Sequence, residues 1–302
     1  MLILIIVAAF ALAALVPVLF KNKRITEFAS IAASLVSLVV SVTVARHVSV
    51  FGSYSPVSFW NVDSLGAIIM LVVSVVATAT ALYSVPYFRK ETTIKVIGPS
   101  RVLQYYALVH VFLGSVFLAT TASHPITAWI LLEATTLSSV FLISFYNKRS
   151  TVEAAWKYLI INAIGLLLAF FGTILYFTAV EASSVAVTWD ALVQHAGAID
   201  PAIAQIAFVF VLIGYGTKVG LAPMHTWKPD AYSKSPAPLG ALLSGALMPV
   251  AFGIMLRFKA VTDASVGDGF GQHLLIIFGL LSILIAAFSI LTVRNYKRML
   301  AY

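Results

Sequence analysis

Long apolar runs separated by short polar or basic interruptions fill the chain from its first residue onward. A bilayer core of about 30 Å is crossed by about 20 apolar residues in a helix. That window predicts nine spans, over 1–20, 25–45, 64–85, 103–121, 126–146, 154–180, 202–228, 239–256 and 273–293, the seventh of them interrupted. The breaks fall at Lys21-Asn22-Lys23-Arg24, from Pro86 to Arg101, at Asn147-Lys148-Arg149-Ser150, and from Glu181 to Pro201. The expected fold class is an all-α polytopic membrane protein with a broken seventh helix, and no soluble domain or low-complexity tail is read. Met1 is followed directly by apolar residues and the basic cluster comes after the span, the reverse of a secretory leader, so the first span is expected to be retained.

Composition agrees with a lipid solvent. Of 302 residues 61% are hydrophobic and 10% charged, with mean hydropathy +1.01, against about 25% charged in soluble chains. The absence of cysteine excludes disulfides, zinc-thiolate sites and cysteine-ligated iron–sulfur clusters. The formal net charge of +8 raises nucleic acid as a partner, but the placement of the charges gives another account. Fourteen of the nineteen Lys and Arg residues fall in the loops after spans 1, 3, 5 and 7 and in the tail, and three in the loops between. Basic residues collect on the cytoplasmic side, so the N-terminus is expected outside and the C-terminus in the cytoplasm, and no nucleic acid is expected as a partner.

Charges inside the spans carry the functional reading. Most acids (Glu27, Glu91, Glu153, Glu181, Asp190, Asp200, Asp263 and Asp268) are expected in loops. Glu133 stands some seven residues into span five, about 10 Å below the outer boundary. An ionisable group near the centre of a span costs about 2.5–3.5 kcal/mol on insertion scales and faces protein or water, usually with an opposite charge. Thr135, Thr136, Ser138 and Ser139 add hydroxyls that suit a wet path. Lys218 is the expected counterpart, about 24 Å along span seven. Around it Gly214, Gly216, Gly220 and Pro223 weaken the helix, and Pro223 cannot donate a backbone hydrogen bond. Broken helices at membrane depth line cavities or are covered by protein, and beside ionisable groups they recur at ion-transport sites.

Other polar residues admit two readings each. Glu133 and Lys218 form either an ion path or a structural pair. Lys157 either faces inward as a relay member or snorkels to the interface, with Glu153 four residues earlier as a same-face partner. His110 is a packing residue or part of a proton path. His225, just past the break, suits function because imidazole titrates near neutral pH. His47, His124, His195 and His273 are expected in or near solvated outer loops. The Gly216-x-x-x-Gly220 pair is read as close helix packing, and Gly214-x-Gly216, with no preceding strand, is no dinucleotide fingerprint. No Ser/His/Asp set, phosphate loop or metal-spaced cluster is read from the sequence.

The run Gly216-Thr-Lys218-Val-Gly-Leu-Ala-Pro223-Met-His225-Thr-Trp227-Lys-Pro229-Asp230 resembles the seventh-helix signature of the antiporter-like membrane subunits. These occur in respiratory complex I, multisubunit cation/proton antiporters and energy-converting membrane hydrogenases. Three further stretches agree: the fifth-helix Glu133, the Glu153-Ala-Ala-Trp-Lys157-Tyr start of span six, and Ser235-Pro236-Ala-Pro238-Leu-Gly-Ala-Leu-Leu-Ser244-Gly leading into span eight. The tail from Arg294 to Tyr302 resembles the segment after the family's ninth helix. Ser244 stands where many complex I relatives carry a basic residue, and Asn295 replaces a common acid. Both Ser244 and the start of span six look closest to the hydrogenase branch of formate-hydrogenlyase type.

The resemblance implies the following expectations. Residues 1–102 hold helices 1–3, residues 103–256 the first inverted five-helix repeat, and residues 257–302 helix nine and the start of a second repeat. Family members have about fourteen helices, so further helices, in a longer chain or a second polypeptide, would complete the pathway. The ion-translocation residues carried over are Glu133, Lys218, His225, Lys157 and Ser244, with Gly216, Gly220 and Pro223 at the helix break. The function implied is that of a proton- (or sodium-) translocating subunit of a redox-driven complex in a prokaryotic cytoplasmic membrane. The chain itself offers no cofactor site. Iron–sulfur, nickel–iron or flavin centres belong to partner subunits, which comprise other membrane subunits and a peripheral redox module. The alternatives are a subunit of a multisubunit cation/proton antiporter and a non-conducting scaffold.

Overall fold

A computed structural model describes residues 1–177 and 187–302. Among the described residues nine helices are long and apolar enough to cross a membrane. The first six are α1 (Leu2–Leu19), α2 (Lys23–Phe51), α3 (Ser64–Thr93), α4 (Pro99–Thr121), α5 (Pro125–Ile143) and α6 (Arg149–Phe177). A short helix α7 (Trp189–Gln194) then leads to the seventh span, split into α8 (Pro201–Val219) and α9 (Lys228–Lys234). The eighth comprises α10 (Ala237–Leu242), a π-helical segment over Leu243–Leu247 and α11 (Met248–Val266). The ninth is α12 (Phe270–Thr292), followed by a single turn α13 (Tyr296–Met299). The chain is a multi-pass membrane protein.

Local chemistry sets the ends. Asn22 caps α2 by accepting from the amides of Arg24 and Ile25, Asp63 caps α3 through Gly66, and Asp200 caps α8 through Ala202 and Ile203. Such side chains satisfy amides that the first turn leaves unpaired. Pro99, Pro125 and Pro201 occupy first turns, where the missing N–H costs nothing. A small hairpin, β1 (Tyr54–Val57) against β2 (Trp60–Val62), closes one end of the bundle, and Ser123 donates its amide to Phe59. Bidentate contacts from Arg257 to Asp63 at 2.7 and 2.8 Å tie the eighth span to the start of the third.

The helices overrun the predicted spans. α2, α3 and α11 continue beyond residues 45, 85 and 256, and Pro86 lies inside α3 rather than at a break. An interior proline costs about 3 kcal/mol in a helix. In lipid a helix that continues leaves fewer backbone groups unpaired than a loop, and the last turn carries its charges to partners. Glu27, Glu91, Glu153 and Asp263 are therefore helical, not loop, residues, and Asp190 sits in α7. Glu27 is buried and held by Arg89 at 2.6 Å. Asp263 pairs with Lys259 on α11. Asp200 is a cap, Asp268 lies in the turn before α12, and Glu181 falls outside the described residues.

The closest helix pair sets the position of the site. α6 and α8 meet along small residues: a Cβ on Gly214 would fall 2.4 Å from the Ala169 nitrogen and 2.6 Å from the Gly165 carbonyl. Only a hydrogen fits that contact, and the approach carries the end of α8 deep between α5 and α6. The predicted packing pair, Gly216 and Gly220, plays another part. Gly220 takes a left-handed conformation (φ +80°) that ends α8, a geometry glycine reaches without a Cβ penalty. Gly216 faces Leu221 and Met224 of its own break.

Candidate functional site: a buried lysine at a broken helix

Lys218 sits in the last turn of α8, one residue before its end, and is fully buried. Its ammonium donates to Thr136 Oγ1 at 2.7 Å and to the Tyr158 hydroxyl at 3.0 Å. Thr136 in turn donates to Glu133 Oε2 at 3.3 Å. Tyr158 is bonded to Ser139 Oγ at 2.7 Å and edges onto the Trp227 ring at 5.0 Å. The ion pairs found among the described residues lie elsewhere, so the expected Glu133–Lys218 encounter is corrected. The two charges do not touch. A threonine hydroxyl stands between them, accepting from one and donating to the other.

Why the residues meet follows from helix periodicity. Glu133 and Thr136 are three apart on α5 and share a face, and Ser139 is the next position on it. Thr136, Ser139 and Tyr158 are fully buried, and Glu133 is half-buried toward the outer surface of α5. A buried ammonium without partners would be lost to desolvation. Here two hydroxyls solvate it and one relays it to the carboxylate. Hydroxyls both accept and donate, so the row from Glu133 through Thr136 to Lys218, and on through Tyr158 to Ser139, is continuous in proton-exchanging groups.

The break is held by side chains from two directions. Gly220 and Leu221 donate to the Gly216 carbonyl, both at 2.8 Å. The Trp227 indole donates to the Thr217 carbonyl at 2.9 Å, and the Ala222 amide donates to Ser282 Oγ of α12 at 2.9 Å. Pro223 follows Ala222 through a cis peptide bond and is exposed. His225 is half-buried in the short turn that restarts the helix, with Nδ1 unpartnered and its ring against Tyr302 at 5.8 Å. It lines a small cavity with Gly220, Ala222, Lys228 and Ser282.

The profile of the family described as "NADH:quinone oxidoreductase/Mrp antiporter, TM" matches residues 122–302. The chain belongs to that family. It is similar to the hydrogenase-4 component F homolog of Methylacidiphilum infernorum (isolate V4), 36% identical over 251 residues, 82% of this chain and 53% of that protein. It is also similar to NADH-quinone oxidoreductase subunit N 2 of Koribacter versatilis (strain Ellin345), 27% identical over 93% of this chain and 56% of that one. The chain thus spans about half the length of the curated relatives it matches. Two solved structures share the fold. A chain of the membrane-bound sulfane sulfur reductase, an archaeal respiratory membrane complex, superposes with TM-score 0.84 at 22% identity, over 99% of this chain and 61% of that one. A chain of respiratory complex I from Thermus thermophilus gives 0.72 at 20% identity, over 100% and 61%.

Against this family background the structure separates the predicted residues. Glu133 and Lys218 share one site through Thr136, and Gly216, Gly220 and Pro223 form the break beside it. Lys157 does not face inward: its exposed ammonium pairs with Glu153 at 2.7 Å and with Asp230 at 3.2 Å. Helix phase explains this, since burying Tyr158 and Ala154 turns position 157 outward. Ser244 lies exposed in the π segment beside the Tyr232 hydroxyl and does not reach the lysine. His110 is fully bonded between Tyr106 and Ser30. His47 and His273 are helical, while His124 caps α5, and burial pushes the His124 imidazole below its ordinary range. Tyr158, Trp227 and Asp230 stand inside the matching stretches but were given no role in the sequence. Tyr158 adjoins Lys157, and a phase argument through buried Ala154 would have found it. Among the described residues no group of three or more metal-binding side chains gathers.

The tail folds back over the break. Arg298 pairs with Asp230 at 3.1 Å and Lys297 donates to the Ser235 carbonyl at 2.6 Å. Burial holds the Lys297 ammonium below its ordinary range, with Glu91 opposing the shift. Glu91 accepts from the Tyr146 hydroxyl at 2.7 Å, and burial above all pushes that phenol up.

Proposed function

We propose that this chain is an ion-translocating membrane subunit of a redox-driven, multisubunit complex of the membrane-hydrogenase or complex I type, with protons (or sodium ions) passing by Glu133 and Lys218. The observation that carries the reading is a fully buried ammonium solvated by Thr136 and Tyr158 at the end of a broken helix, one hydroxyl away from a carboxylate. A charge kept at such a site without a direct counter-ion is poised to change partners. The shared hydroxyl couples the charge on Lys218 to the charge on Glu133. Ion movement and rearrangement of the pair are then two faces of one coupling. Similarity to a hydrogenase-4 component F homolog and to subunits N of NADH-quinone oxidoreductase supports redox partners. Their cofactors would lie outside this chain, and further helices would complete the path. The Lys and Arg distribution supports an N-terminus outside and a C-terminus in the cytoplasm of a prokaryotic inner membrane.

The test is Glu133→Gln and Lys218→Met in the assembled complex, reconstituted in vesicles, with electron transfer and ion uptake recorded together. Both variants assemble and lose translocation. Full translocation in both, with assembly intact, refutes the reading. The family's own description also names Mrp antiporters. That second reading requires cation-driven proton movement in the same vesicles without any electron donor.

A further inference from the structure

A second buried polar region lies away from the lysine, between α2, α3 and α4. On α2 Glu27, Ser30, Ser34, Ser37 and Ser41 recur at three- and four-residue steps, and all are buried. They face Thr78 and Ser84 of α3 and His110, Tyr105 and Tyr106 of α4, which are also buried. Thr78 donates to the Ser34 carbonyl at 3.1 Å. A small-residue stripe alone would be packing, but this one encloses a cavity. Its lining includes Ser30, Ser34, Ser84, Tyr105, Tyr106 and Leu242, and about 10 Å³ within it is open to the centre of a water molecule, space for about one water. Tyr106 is 1% exposed and its hydroxyl has no hydrogen-bond partner. A buried hydroxyl left unpaired costs roughly 1–3 kcal/mol, and one water in this cavity removes that cost.

The hydrogen bonds of His110 fix its tautomer. Nδ1 is bonded to the Tyr106 carbonyl, which only accepts, so Nδ1 carries the hydrogen. In the neutral ring Nε2 is then an acceptor, and Ser30 Oγ, 3.1 Å away, is its donor. The Ser30 oxygen keeps lone pairs for a molecule in the cavity. The ring stacks on that of Tyr106 of α4 and α1 presents the Phe10 ring to it, while on α2 Glu27 is held by Arg89 of α3. Glu27 lies one turn from Ser30 toward the end of the bundle that bears Lys21, Lys23, Arg24 and exposed Arg89. Past Ser41 the buried face of α2 continues with Val44 and Val48, so the polar row is closed at its other end.

We propose that this seam holds one water against Tyr106 and Ser30, and that the water passes a proton through Ser30 to Nε2 of His110, making a blind proton-accepting site distinct from the Glu133–Lys218 site. The step balances with hydronium as the proton donor and no change of oxidation state. A hydronium in the cavity gives its proton to the Ser30 oxygen as the Ser30 hydrogen moves to Nε2. Water and serine end neutral, and the ring ends as imidazolium with both N–H groups accepted, by the Tyr106 carbonyl and by Ser30. Only hydroxyl hydrogens move. The inference does not depend on the transport role of Lys218.

Two measurements on the intact membrane complex test it. Radiolytic hydroxyl-radical labelling modifies buried side chains that touch a bound water. Tyr106 is expected to label at least about fivefold faster than fully buried Tyr176, and Ser34→Val, which fills the cavity, brings it to the Tyr176 rate. Equal rates for Tyr106 and Tyr176 in the unmodified chain overturn the water site. Infrared pH-difference spectra, with His110→Gln identifying the ring's bands, report its protonation. Imidazolium bands appear on acidification, disappear in Ser30→Ala, and return in Ser30→Thr, which restores the hydroxyl. An imidazolium signal undiminished in Ser30→Ala, or none at all in the unmodified chain, overturns the relay. Should Ser30→Ala fail to assemble, the unmodified and Ser30→Thr spectra still decide between these outcomes.

Discussion

Thr136 is the most informative residue to change, because among the described residues it is the one that hydrogen-bonds both members of the charged pair. Thr136→Val keeps the shape of the side chain and removes the hydroxyl. The ammonium of Lys218 then loses the shorter of its two hydrogen bonds and keeps Tyr158, while Glu133 loses its only bonded contact with the lysine's shell. A hydrogen bond to a charged group is worth about 1.5–3 kcal/mol. At about 1.4 kcal/mol per decade, the variant disfavours the charged amine at that place by roughly ten- to a hundredfold. Ion translocation per electron in reconstituted vesicles is expected to fall by at least that lower factor while electron transfer continues. Thr136→Ser, which retains the hydroxyl, is expected to stay within about twofold of the unmodified chain. An unchanged ion-to-electron ratio in Thr136→Val, with the complex intact, refutes the idea that this hydroxyl couples the two charges.

Three further outcomes follow from the same contacts. Gly214→Val forces a side chain into the Ala169 backbone and is expected to cost more than about 3 kcal/mol, seen as failure to accumulate the folded chain or as a large drop in its melting temperature in detergent. Trp227→Phe removes the indole donor from the Thr217 carbonyl, which keeps the Gly220 amide, at a cost of about 0.5–1.5 kcal/mol, and amide hydrogen exchange over residues 217–222 is expected to quicken while α1–α3 are unaffected. Lys157→Gln removes an exposed charge paired with Glu153 and Asp230 and is expected to leave translocation near normal. Loss of translocation in that variant, with assembly intact, would return Lys157 to the ion path.

The sequence made the spans, the break and the two charges within the spans legible because each has a cost in lipid that only one arrangement removes. An uninterrupted apolar run must be a helix there. A lysine at mid-span must be covered, and three glycines and a proline in ten residues cannot remain one straight rod. What stayed hidden depends on helix phase and on neighbours distant in sequence. Lys157 and Tyr158 are adjacent in the chain, and which of them turns inward depends on how α6 lies against α8 through Gly165 and Gly214. Asp230 meets Lys157 and Arg298 across gaps of more than sixty residues. The overlong α3 was missed because Pro86 looks like a terminus, and its last turns are held by distant partners: Glu27 and Lys23 of α2, and Tyr146 in the turn after α5.

Ser282 gives the ninth span a grip on the seventh. α12 touches the rest of the bundle along a shallow seam in which Gly271 is its one buried residue, yet its hydroxyl holds the amide at Ala222. That single bond joins the ninth span to the peptide four residues from Lys218, so the position of α12 and the shape of the break are set together.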